Sequence, residues 1–317
     1  ASCLNRSETR TKHGLIMQPE SSFREIEMLA QRTAGRIACV PFLVKGRLVW
    51  PGEQGLSELE KLFPLNDDSL SESHCALDDA IVLSRRTGED QRFFVMPRLN
   101  PHDVIENDRF DLADGLYSIS FEEQAEYMIE LGRVLSSSRS IIDRLAKNCP
   151  DGRGGSGEET DFFFKALHSL MNVDYLREAV DRELGFDGVP GHRYLDGWTR
   201  VPSSRHSGSA ERIAGTGNRG GSTPLVRAVP TRQLHRAAGD SPVVSLVSFL
   251  RAIAVRSAAV IKAPGDVLFL GALLGAAMRA VDPEHPITRH TSLVYWKGGD
   301  RMVEDVLFGP GAFDRLV

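Results

Sequence analysis

The residues best placed to do chemistry stand in three short loops late in the chain: Gly239-Asp240-Ser241-Pro242, Lys262-Ala263-Pro264-Gly265-Asp266 and Lys297-Gly298-Gly299-Asp300. Each follows a strand-like run and precedes a helical one. If the strands are parallel, these loops leave their carboxyl ends, which is where ligands of open α/β sheets bind. Glycine there lets the backbone come close to a ligand. A lysine at a strand end, next to a helix start, suits a phosphate or a ribose hydroxyl. A second reading stands beside this one on periodicity alone: Lys262 closes a strand into solvent, and the glycines only make turns.

Other candidate groups point to less. Gly215-Thr-Gly217-Asn-Arg-Gly220 is a formal GxGxxG. Polar Ser and Arg residues precede it and Gly-Ser-Thr-Pro follows, so it lacks the strand before and the helix after that would bring a pyrophosphate to backbone N–H groups. The four cysteines, Cys3, Cys39, Cys75 and Cys149, form no CxxC and have no histidine at zinc-ligand spacing, which reads as reduced thiols. His235, His285 and His290 have no second ligand at i+4 and read as capping or packing residues. Trp198, Tyr295 and Trp296 read as core.

The elements that must position the three loops follow from periodicity. Leu225 to Val229 and Gln233 to Ala238 read as strands. Ser241 as N-cap and Pro242 at the first helical position open a helix over Val243 to Arg256. Ala258 to Ile261 is a short buried strand, Val267 to Ala280 a helix apolar nearly all round, Ser292 to Trp296 a strand, Arg301 to Leu307 a helix, and Phe313 to Val317 the start of a further strand. Strands alternating with helices predict parallel βαβ units. Upstream, Ile37 to Val40, Phe42 to Val44 and Leu48 to Trp50, turning at Lys45-Gly46, predict a strand and a hairpin. Arg92 to Met96 predicts another strand. Ser120 and Glu123 stand at capping-box spacing before an apolar helical stripe. Helical patterns also cover Ile141 to Ala146 and residues 161–184.

These patterns divide the chain into an N-terminal extension (1–35), a mixed α/β region (36–200), a Ser/Gly/Arg-rich loop (201–224) and a βαβ region (225–317). The 317 residues carry 38 basic and 43 acidic side chains, a net charge of −5, with 41 % apolar residues. That composition excludes a disordered chain, a collagen or a coiled-coil rod. It also argues against a nucleic-acid binder, which shows a basic excess. No apolar run reaches the roughly 18 residues of a membrane span, and residues 1–14 have no apolar signal core. A cytoplasmic protein is the expectation.

Several co-linear runs resemble acyl-CoA reductases of the LuxC type, the fatty-acid reductase subunits of bacterial bioluminescence and their biosynthetic relatives. They are Tyr194-Leu-Asp-Gly-Trp198, Arg227-Ala-Val-Pro-Thr-Arg-Gln-Leu-His235, Ala238-Gly-Asp-Ser-Pro242, Ser248-Phe-Leu-Arg-Ala252 and Ala258-Ala-Val-Ile-Lys262. Further on come His285-Pro-Ile-Thr-Arg-His290, Val294-Tyr-Trp-Lys-Gly-Gly-Asp300 and Pro310-Gly-Ala-Phe-Asp-Arg315. The resemblance is dense over residues 190–317. It implies an aldehyde dehydrogenase-like α/β fold, with a parallel Rossmann-type cofactor-binding sheet and an N-terminal mixed α+β segment.

The implied chemistry is NADPH-dependent reduction of an acyl thioester, acyl-CoA or acyl-protein, to an aldehyde. A cysteine thiolate takes the acyl group, hydride reduces the enzyme thioester, and amide donors stabilise the growing oxyanion. By position, Lys262 matches the lysine that holds the adenosine ribose or its 2′-phosphate, with Ala263, Pro264 and Gly265 beside it. Gly298, Gly299 and Asp300 match the turn near the adenine. Gly239, Asp240, Ser241 and Pro242 match the turn below the nicotinamide.

Asp240 stands where the family has an oxyanion-binding Asn, and an ionised carboxylate there would repel the developing charge. The family's nucleophilic cysteine falls beyond Val317, so the expectation is an incomplete cofactor-binding half. The alternative is a non-catalytic nucleotide-binding or scaffold subunit. An acyl-activating synthetase partner and a homo-oligomer are further expectations; a metal is not.

Overall fold

The computed structural model describes residues 27–28, 31–32, 37–52, 74–76, 79–87, 90–107, 112, 115–140, 157–184, 198–200, 225–227, 231–237, 243–265 and 268–317. Two main sheets organise them. The smaller has four strands, β1 (Ile37–Cys39), β4 (His74–Ala76), β5 (Ala80–Thr87) and β6 (Asp90–Pro97), in the order β1-β6-β5-β4. β5 and β6 form its long antiparallel hairpin, and β1 lies parallel to β6. The larger has six strands. β9 (Arg232–Arg236), β10 (Ala258–Lys262), β11 (Thr291–Val294) and β12 (Arg315–Leu316) run parallel, and the hairpin of β2 (Phe42–Val44) and β3 (Arg47–Val49) is appended. Its order is β12-β9-β10-β11-β2-β3, with β2 antiparallel to β11. β7 (Trp198–Arg200) and β8 (Leu225–Arg227) pair with each other as a separate ribbon.

The parallel strands form where the periodicity places them. β10 and β11 are buried on both faces, as parallel strands covered by helices must be. The connecting helices are α5 (Val243–Ala254), α6 (Leu268–Val281), the short α7 (Pro286–Arg289) and α8 (Arg301–Leu307). Before them come α1 (Pro101–Val104), α2 (Phe121–Ser137), α3 (Gly157–Leu170) and α4 (Val173–Leu184). The predicted capping box of α2 is complete. The Ser120 hydroxyl accepts from Glu123 N at 3.1 Å, and the Glu123 carboxylate accepts from Ser120 N at 2.8 Å. The helical pattern over Ile141 to Ala146 and the loops 150–156 and 201–224 lie outside the described residues.

α6 is apolar all round because it has protein on every side. Phe269 meets Phe94 of β6 edge-on at 5.6 Å, so the helix ties the smaller sheet to the larger. On its other face Gly275 approaches β2 so closely that a Cβ added there would stand 3.0 Å from the Leu43 Cβ. α2 packs on α6, and its buried Tyr127 hydroxyl meets the Thr288 hydroxyl at 2.8 Å.

A polar cluster closes the amino ends of the parallel strands. Lys45, at the tip of the β2–β3 hairpin, has φ +46° and is followed by Gly46 at +76°, the two positive angles of a tight hairpin turn. The strain of a non-glycine residue there is offset by anchors: Lys45 N donates to the Ser292 hydroxyl at 3.0 Å and Lys45 Nζ to the Ile105 carbonyl at 2.8 Å. Glu106 receives Lys45 Nζ at 3.7 Å and His290 Nδ1 at 3.4 Å. Arg232, at the start of β9, makes a two-pronged bond to Asp314 (3.0 and 3.3 Å) and donates to the Glu106 carbonyl at 3.2 Å. The cavity among Lys45, Glu106, Arg232, His290 and Ser292 is about 10 Å³, room for a single water.

Candidate functional site

The carboxyl ends of β9, β10 and β11 carry the chemistry read from the sequence. β10 ends at Lys262, in register with Arg236 on β9 and Val294 on β11. Ala263 N donates to the Val294 carbonyl at 2.8 Å, which keeps the two strands together one residue further. Beyond Val294, Tyr295 and Trp296 are both buried, and the chain then turns at Lys297–Asp300. Asp300 caps α8: its carboxylate accepts from Met302 N at 3.1 Å.

Lys262 is half-buried and folds over the Trp296 ring, with its ammonium 5.0 Å from the ring centroid. That is a cation–π distance. Trp296 is held from its edge, because its Nε1–H donates to the Glu304 carboxylate at 3.2 Å. The other oxygen of Glu304 accepts from Gly299 N at 3.1 Å, which fixes the turn. Gly299 has φ +84°, and a Cβ added at Gly298 or Gly299 would meet no atom within 4 Å. This turn is therefore exposed and open to a ligand, and its strained position calls for glycine. Burial pushes the Lys262 ammonium pKa down, and the Arg236 charge pushes it the same way, while Glu304 opposes both.

The structure thus brings Lys262 and the Gly298–Gly299 turn to one edge of the sheet. Pro264 and Gly265 lie beside them, half-buried. Ala263 faces inward instead: a Cβ added at Gly271 of α6 would lie 3.5 Å from that of Ala263. Asp300 is engaged as the α8 cap. Gly239, Asp240, Ser241 and Pro242 lie outside the described residues, as do Cys3 and Cys149. Cys39 is on β1 of the smaller sheet, where burial raises its thiol pKa against the pull of Arg32. His285 caps α7 and stacks on Tyr127 at 4.4 Å, while His235 and His290 are buried. Among the described residues no three side chains form a metal-binding group.

Arg236, Glu304 and the second role of Trp296 are not visible in the sequence alone. Arg236 is visible only when the ends of β9 and β10 are set in register. Trp296 is core, as expected, but it also carries the Lys262 ammonium, and the Glu304 that holds it lies eight residues on, across a turn.

The fold is that of the aldehyde dehydrogenases. Superposition on a point mutant of 1-pyrroline-5-carboxylate dehydrogenase from Thermus thermophilus gives a TM-score of 0.51 at 10 % identity, covering 100 % of this chain and 49 % of that one. The same enzyme from Thermus with bound NAD gives 0.50 at 10 % identity, over 94 % and 46 %.

The chain is also similar in sequence to long-chain acyl-protein thioester reductases, as the motifs implied. Identity is 33 % over 85 residues with that of Photorhabdus laumondii, covering 26 % of this chain and 18 % of the relative. It is 36 % over 72 residues with that of Vibrio harveyi, covering 22 % and 15 %. The matches thus span less than a fifth of those relatives' length. No protein-family model matches the chain. Among the described residues no helix is long and apolar enough to cross a membrane.

Proposed function

We propose that this chain serves the reduction of an acyl thioester, acyl-CoA or acyl-protein, to an aldehyde. The balance is thioester plus NADPH and a proton, giving aldehyde, free thiol and NADP. The larger sheet holds the nucleotide, which supplies the hydride when bound. The observation that carries this reading is the half-buried Lys262 ammonium at a parallel strand end, beside an exposed glycine turn with open space around it. Lys262 offers charge to a ribose or phosphate, Trp296 and Glu304 keep it in place, and the Gly298–Gly299 turn admits the adenine side. The similarity to named thioester reductases supplies the acyl substrate class. A cytoplasmic homo-oligomer working with an acyl-activating synthetase completes the proposal.

The test is calorimetric titration with NADPH, followed by loss of absorbance at 340 nm on adding acyl-CoA. Lys262→Ala removes one charged contact, and affinity should fall about tenfold or more. Unchanged affinity in that variant refutes the site. A second reading, a non-catalytic nucleotide-binding or scaffold subunit, is favoured by Asp240, which stands where the family has an oxyanion-binding Asn and would repel a developing negative charge when ionised. Binding of NADPH without consumption, at any acyl chain length, by a chain that includes the family's nucleophilic cysteine would select it.

A further inference from the structure

We propose that Arg236 forms a dianion subsite with Lys262 and is the residue that makes this edge of the sheet prefer a dinucleotide carrying a 2′-phosphate over one with a free 2′-hydroxyl. The inference rests on the nucleotide-binding reading above and assigns its selectivity to a residue that lies between the runs 227–235 and 238–242 that carry the family resemblance.

The geometry is that of register. Arg236 is the last residue of β9 and Lys262 the last of β10, and the two are paired across the parallel ladder. Register partners on adjacent strands stand side by side at about 5 Å and project from the same face. Val294 is the next partner along, and Trp296, two residues on, returns to that same face under the Lys262 ammonium. A guanidinium and an ammonium therefore leave the sheet together, Arg236 exposed and Lys262 half-buried.

Among the described residues the charges around them do not balance. Glu304 is the carboxylate that acts on Lys262, and both of its oxygens already accept from neutral donors, Trp296 Nε1 and Gly299 N. Among the described residues neither Arg236 nor Lys262 is in an ion pair. Two cations at paired strand ends, with one carboxylate acting on Lys262, make a site that a phosphate monoester, close to two negative charges at neutral pH, would complete. A hydroxyl would leave the repulsion in place. The planar fork of Arg236 can take two phosphate oxygens and the compact Lys262 ammonium a third.

The experiment titrates the full chain with adenosine 2′,5′-bisphosphate and with 5′-AMP, ligands that differ only in the 2′-phosphate, and with NADPH. The wild-type chain should bind the bisphosphate about tenfold or more tightly than 5′-AMP. Arg236→Gln should lose most of that preference while its 5′-AMP affinity stays the same, and Arg236→Lys should recover part of it. Arg236 is exposed, so the urea midpoint of each variant should match wild type and serve as the folding control. Equal wild-type affinity for the two ligands, or a preference that survives Arg236→Gln, overturns the subsite and leaves the nucleotide reading standing. Failure of the wild-type chain to bind any of the three ligands overturns the nucleotide reading and the subsite with it.

Discussion

Replacing Glu106 by Gln should lower stability in a pH-dependent way and leave the nucleotide edge untouched. The Glu106 carboxylate lies 3.7 Å from the Lys45 ammonium and 3.4 Å from His290 Nδ1, and its side chain is 11 % exposed. Two unit charges at that spacing attract by about 4 kcal/mol at an effective dielectric near 20. Desolvation of the carboxylate cancels much of this, and Lys45 keeps its bond to the Ile105 carbonyl in the variant. The net loss expected at pH 7 is about 1–2 kcal/mol. Burial alone would push the Glu106 pKa up, but the His290 hydrogen bond and the Lys45 charge outweigh it and hold the pKa below its ordinary value of 4.5. A carboxyl with a lowered folded pKa adds stability that is fully present above the unfolded value and is lost as pH falls through the folded one. Urea denaturation of wild type and variant from pH 7 to pH 3 should therefore show a gap that closes on acidification, when a neutral carboxyl replaces the charge that Gln also lacks. A gap that stays constant to pH 3, or widens, refutes the electrostatic account. The cluster sits at the opposite ends of the strands from Lys262, so NADPH affinity at pH 7 should be unchanged.

Three further outcomes follow from the same packing. Arg232→Ala breaks the two-pronged bond to Asp314 and the bond to the Glu106 carbonyl; a loss of about 3–5 kcal/mol is expected in urea unfolding, because a nearly buried pair is broken rather than replaced. Gly275→Val presses new methyl groups onto Leu43, which is fully buried, and should cost about 1–3 kcal/mol by thermal or urea unfolding. Glu304→Gln removes the charge that raises the Lys262 pKa. The affinity for adenosine 2′,5′-bisphosphate should then begin to fall at a lower pH than in wild type, with the lysine losing its proton earlier.

Local signals were legible because their physics is local. Ser120 and Glu123 marked the start of α2 by spacing alone, and the Lys45-Gly46 turn marked the β2–β3 hairpin. The strand read at Ala258 to Ile261 formed and runs one residue further, to Lys262, and the helix at Arg301 to Leu307 formed as read. Pairing across the chain was not legible. Nothing in residues 42–44 says that Leu43 lies opposite Leu293, because one hydrophobic strand is as good a neighbour as another until the helices are placed. For the same reason Leu225 to Val229 read as a strand of the βαβ region, but β8 pairs with β7 in a separate ribbon. Lys262 was found because a lysine after an apolar run stands out. Arg236 was missed because Arg232 and His235 blur the end of its strand, and its importance comes from the strand beside it.

The two edges of the larger sheet use the same residue types to opposite ends. At the amino edge every charge named has an answer within reach: Arg232 has Asp314, and Glu106 has Lys45 and His290. Those pairs join the hairpin, the segment after α1 and two parallel strands, so the cluster does the work of holding distant parts of the chain together. Its cavity admits no more than a water. At the carboxyl edge Arg236 and Lys262 stand side by side, the nearby carboxylate is committed to an indole and a backbone amide, and the glycine turn faces open space. Adjacent like charges cost free energy in the unliganded protein. The proposed anion subsite rests on that geometry: an exposed guanidinium and a half-buried ammonium at paired strand ends, beside a glycine turn with space around it.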